Sequence, residues 1–124
     1  MKPGDVLLVF CRSINPPKDK FAICLCPERR WFFFINSKPW WPPETQVEIK
    51  THELRCLDRD SWVDTSKIVQ LSASEIADAR GDNRRRKGEL SPMLRIKLRK
   101  TVESSETLRE IEIGIVVGNL KGKG

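Results

Sequence analysis

The chain has 124 residues, 39% of them hydrophobic and 32% charged, with a formal charge of +6. That length suits a single domain over 1–124 that buries roughly two-thirds of its unfolded surface, and the composition excludes a disordered tract. No run reaches the about 18 apolar residues of a membrane span, and the opening MKPGDVLLVF sets a Gly-Asp turn where a signal peptide would be apolar. A cytoplasmic protein with no membrane partner is expected.

DVLLVFC, residues 5–11, is a continuous apolar run and predicts a buried first strand. SINPPKDK breaks it with two prolines, and FAICLC, residues 21–26, predicts the second strand. WFFFINS predicts a third that ends at Asn36-Ser37. KPWWPPE must then loop, because each proline restricts itself and its predecessor to extended backbone. TQVEIKTHE alternates as a half-exposed strand, and residues 59–71 read as one or two short strands. Ser72 with Glu75 three residues on is a capping box, so a short helix should run to about residue 79. RGDNRRRKGE reads as its exit loop. Ser91-Pro92 opens a second helix, whose apolar residues Leu94, Leu98 and Val102 recur at helical spacing. REIEIGIVV, residues 109–117, alternates through Ile111, Ile113 and Ile115 and predicts a last strand, with NLKGKG a frayed basic tail. The sum is a mainly β (α+β) fold, a small antiparallel barrel with one or two helices.

Three of the four cysteines, Cys11, Cys24 and Cys26, lie in apolar runs, which suits reduced thiols used as small hydrophobes. Cys24, Cys26, Cys56 and the single histidine, His52, add up to four zinc donors. The tight second pair of a zinc module is missing, however, so no metal or other cofactor is expected. His52 in the polar KTHEL stretch reads as a surface residue. Five cations crowd residues 80–87, a pattern that a polyanion selects and that a plain solvated surface also shows.

Several strings, in this order, give the chain a likeness to a known family: KPGDVLLV, KFAICLC, FINS, SWVDTSKIVQLS and GELSPMLRIKLRKTV. Over residues 2–103 it resembles the MazF/PemK toxin endoribonucleases, leaving 104–124 as an extra strand and basic tail. The resemblance implies an SH3-like barrel with a C-terminal helix. It also implies cleavage of single-stranded RNA without a metal, by attack of the ribose 2′-hydroxyl to leave a cyclic phosphate. The partners it implies are a second copy in a homodimer and an acidic antitoxin protein.

By the same resemblance the family's catalytic arginine falls on Lys20, its hydroxyl residue on Ser37, and its acid on Asp64 with Thr65 beside it. Trp62 stands where some members have a second arginine, and NPPKDKF replaces the usual entry to the second strand. Lysine is a point charge where arginine forks onto two oxygens. These departures favour a second reading, a barrel that has lost catalysis and only binds nucleic acid or protein. Asp64 also suits a turn cap, Lys20 a solvated strand flank, and Trp62 the core. RNA contacts are expected from Arg12, Lys18, Lys38, Lys67, Arg84, Arg85 and Arg86. Trp40 and Trp41 should join them on a proline-stiffened loop, where an indole stacks on an unpaired base. One ring is expected free for stacking and the other packed away.

Overall fold

A computed structural model describes residues 1–122. The chain forms β1 (Asp5–Cys11), β2 (Lys18–Cys26), β3 (Trp31–Asn36), a 3-10 turn at Pro43–Thr45, β4 (Gln46–Ile49), β5 (Ser61–Asp64) and β6 (Val69–Gln70). Helix α1 (Ala73–Arg80), strand β7 (Arg86–Glu89) and helices α2 (Pro92–Glu103) and α3 (Glu110–Lys121) follow. The strands run antiparallel in the order β4-β5-β3-β2-β1-β7, with β6 added beside β3. The sheet curls into a half-barrel, an α+β fold of mostly sheet with helices packed on it.

Strand alternation sorts the side chains to two faces. Val6, Ile23, Leu25, Phe33, Ile35 and Val63 turn inward and meet Leu94, Leu98 and Val102 of α2 and Val116 and Leu120 of α3. Leu7, Val9, Cys11, Ala22, Cys24 and Phe32 turn outward, under Ile76 and Ala79 of α1. The inner end of β2 is thus buried on both sides, which accounts for the unbroken apolar run FAICLC.

Both capped helices begin where their local chemistry predicts. Ser72 Oγ accepts from the Glu75 amide at 3.1 Å while Glu75 Oε1 accepts from the Ser72 amide at 3.0 Å. Ser91 Oγ accepts from Leu94 N at 3.2 Å, with Pro92 at the first turn, where its missing N–H costs nothing.

Four expectations need correction. Residues 109–117 are not a strand: they lie in α3, which packs on α2 and β2, and Asn119 Nδ2 donates to Leu25 O at 2.9 Å. Asn119–Lys121 also belong to α3 rather than to a frayed tail, whose last residues, Lys123 and Gly124, lie outside the described residues. The stretch after α1 is not all loop, because Arg86–Glu89 pairs with β1 across a bulge in which Gly88 takes φ +104°. In addition, β2 starts at Lys18 instead of 21, its polar end held by Cys11, Phe10 and Val9 of β1.

Arg95 fastens the assembly. Its guanidinium donates to Pro3 O at 2.9 Å and Leu120 O at 3.3 Å. It lies so close under Gly4 (φ +92°) that a Cβ there would come within 2.3 Å of it. No helix among the described residues is long and apolar enough to cross a membrane.

Candidate phosphate-binding cleft

Where β2 begins and β3 ends, the half-barrel opens into a cleft of about 330 Å³. Lys18, Asp19, Lys20 and Asn36 line it from the strands, with Ser37 just past the end of β3; Leu57, Asp58 and Arg59 line it from the β4–β5 connection and Ser61 from the start of β5. Lys20 and Ser37, matched to the family's site by resemblance alone, therefore share one cleft. Asp64 and Thr65 do not line it.

The register explains how Lys20 is held. It faces Val9 on β1, and its Nζ donates to Oδ1 of Asn36, which in turn faces Trp62 on β5. The ammonium lies 5.4 Å from the centre of the Phe34 ring, within cation–π range. Burial, then the neighbouring Lys18 charge, lowers the Lys20 pKa, and the Asp64 carboxylate works in the opposite direction. A half-buried amine with a depressed pKa in a cleft is a recurrent mark of functional sites. Asn36, Phe34 and Trp62 were not read as site residues, although Trp62 is half-buried on the outer face rather than sealed in the core. Period-two counting from Lys20 and Phe34 is the signal that would have found them.

Asp64 has a structural engagement of its own. It is buried, and its Oδ1 accepts from Gln46 Nε2, Ser66 N and Ser66 Oγ at 2.9, 2.9 and 2.5 Å. Oδ2 makes no hydrogen bond among the described residues. Thr65, also buried, donates from Oγ1 to Thr45 O at 2.7 Å. It lines a separate, hydroxyl-rich cleft of about 370 Å³ beside the α2–α3 turn. Gln46, also missed from sequence, joins this network to the tryptophan loop by accepting from Trp40 N at 2.9 Å.

Both indoles of that loop are in solvent, Trp40 at 65% and Trp41 at 81% exposure. The expectation that one would be packed away is corrected, because Thr45 and Gln46 anchor the loop and neither ring is needed for packing. The expected cationic contacts divide in two. Lys18, Lys38, Lys67 and Arg86 are exposed without an ion pair among the described residues. Arg12 pairs with Asp78 at 3.7 Å and Arg84 with Asp82 at 3.1 Å. Arg85 bridges Asp19 at 2.8 Å and Leu8 O at 3.2 Å. Arg86 lies apart from Lys20, in a groove of about 490 Å³ between β1, β7 and the end of α1.

All four cysteines are free. Burial pushes the Cys11 thiol up to about 11 and that of Cys24 to about 12, which suits packing and not nucleophilic work. Among the described residues no three of His, Cys, Asp and Glu gather to hold a metal ion. His52 is an exposed turn residue. Comparison with models of known protein families returns no match, and comparison with curated proteins returns none either.

Proposed function

We propose that this protein is a toxin-like endoribonuclease of the MazF/PemK kind, cleaving single-stranded RNA without a metal. The observation that carries the reading is the meeting of Lys20, Ser37 and Asn36 in one cleft. Two exposed indoles stand a few residues further along the chain. The ribose 2′-oxygen attacks phosphorus, its proton passes to a base, and the P–O5′ bond breaks. The 5′-oxygen leaves with a proton, and a 2′,3′-cyclic phosphate remains. Lys20 supports this by donating to the phosphate or to the departing oxygen, and the Ser37 hydroxyl by donating to a non-bridging oxygen. Asp64 does not line this cleft; the resemblance assigns it the base, and its Oδ2, which makes no hydrogen bond among the described residues, is the atom offered for that role. In this reading the protein works in the cytoplasm as a homodimer. The +6 charge and free indoles suit restraint by an acidic antitoxin.

The Lys20 pKa gives the reading a pH signature. An amine whose pKa is lowered below 10.5 gives up its proton earlier as pH rises. RNA binding should therefore weaken at a lower pH than in a Lys20→Arg variant, whose guanidinium keeps its charge. Equal alkaline profiles for the two proteins would remove Lys20 from the contact.

A second reading, a barrel that binds RNA without cutting it, is favoured by the three hydrogen bonds on Asp64 Oδ1 and by the bond Thr65 donates to Thr45 O. Incubation of a long single-stranded RNA with the protein in EDTA decides between them. Fragments ending in cyclic phosphate, absent with Lys20→Ala and Asp64→Asn, are expected. RNA that is bound but left whole would withdraw catalysis and keep the binding module.

A further inference from the structure

Resting on the RNA reading above, we infer that Arg59 grips the same phosphodiester as Lys20 and supplies the cleft's guanidinium. The cations lining this cleft are Lys18, Lys20 and Arg59, two ammonium groups and one planar fork. A fork takes two phosphate oxygens at once and so fixes the orientation of the group, which a point charge cannot do.

The Arg59 main chain is held from its C-terminal side. Its carbonyl accepts from Ser61 Oγ at 3.0 Å, and the next residue, Asp60, accepts from Thr51 N at 2.9 Å. Beneath the loop, Leu54 and Leu57 are buried in the core. The side chain itself is 68% exposed, and its one ion-pair partner among the described residues is the Asp58 carboxylate at 3.6 Å, 88% exposed. A solvated pair of that kind contributes little and gives way to a better anion. An anchored loop under an exposed, weakly paired guanidinium is the arrangement that a binding site needs. Arg55, exposed in the same loop but outside the cleft, has the same charge without the position.

The test is fluorescence anisotropy of a short, labelled 2′-O-methyl oligouridine, which cannot be cleaved, over a series of salt concentrations. Arg59→Ala should weaken binding and reduce the slope of log K against log salt by about 0.7, the loss of one phosphate contact to a single strand. Arg59→Lys should keep the slope and lose part of the affinity, and Arg55→Ala should match the wild type. Circular dichroism and urea midpoints confirm that each variant is folded. If the wild type binds and Arg59→Ala shows its slope, the RNA reading stands and the Arg59 assignment falls. An equal slope change in Arg55→Ala would reduce the effect to loop charge and overturn the assignment too. Should the wild type bind at no salt concentration, the RNA reading fails and the assignment falls with it.

Discussion

The tryptophan loop after β3 and the arginine-rich stretch after α1 look alike as candidates for a polyanion, one by its rings and the other by its charge. In the folded chain they behave oppositely. The tryptophan loop meets its polar needs from below: Gln46 accepts from the Trp40 amide, and Thr45 Oγ1 donates to Pro42 O at 2.6 Å. Both indoles are left idle in water. In the arginine stretch two of the side chains do the fastening themselves. Arg85 ties β2 to the β1 main chain and Arg84 closes on Asp82, while Arg86 joins an edge strand through its main chain and keeps its side chain exposed. A charge run in a sequence is thus not a supply of free charge, because a guanidinium with five donors is also the group best able to satisfy backbone carbonyls.

The largest expected effect comes from removing both rings. Trp40→Ala with Trp41→Ala should cost RNA affinity about 1–3 kcal/mol per ring, while the urea midpoint stays close to the wild type. Retained affinity would erase the contrast between the loops. Arg85→Ala should do the reverse. It removes charge-assisted bonds at a half-buried side chain and should lower unfolding free energy by about 1.5–3 kcal/mol, with RNA affinity per folded molecule little changed. A large loss of affinity at unchanged stability would return Arg85 to the proposed RNA contacts. Arg84→Ala should have the smallest effect, since the Arg84 side chain of this short-range pair is already in solvent. Its stability and its salt slope should both overlay the wild type, and a shallower slope would show that this arginine reaches RNA after all.

The same contrast explains what could be read ahead of the fold. Helices α1 and α2 were legible because their caps are local: Ser72 with Glu75, and Ser91 with Pro92, act within four residues. Strand β7 was illegible because it is an edge strand whose Arg86, Gly88 and Glu89 are exposed, so RKGE shows no apolar alternation. Helix α3 was misread because Ile111, Ile113 and Ile115 alternate, yet Val116 and Leu120, four apart, are the residues that reach the core. Asp64 illustrates the same limit at the site. Its sequence neighbours announce both a turn cap and the resemblance, and only Gln46, 18 positions away, reveals how fully its Oδ1 is engaged.

The sequence by itself determined the strand-rich plan, the two capped helices and the buried thiols, because hydrophobic period, capping and turn chemistry act over a few residues; Lys20 and Ser37 became candidates through the resemblance alone. Tertiary structure alone decided which charges are occupied, which rings are free, that the C-terminal segment is a helix, and that Arg59 lines the same cleft as Lys20. Those outcomes depend on partners distant in the chain, and no local pattern encodes the cross-strand register that brings them together.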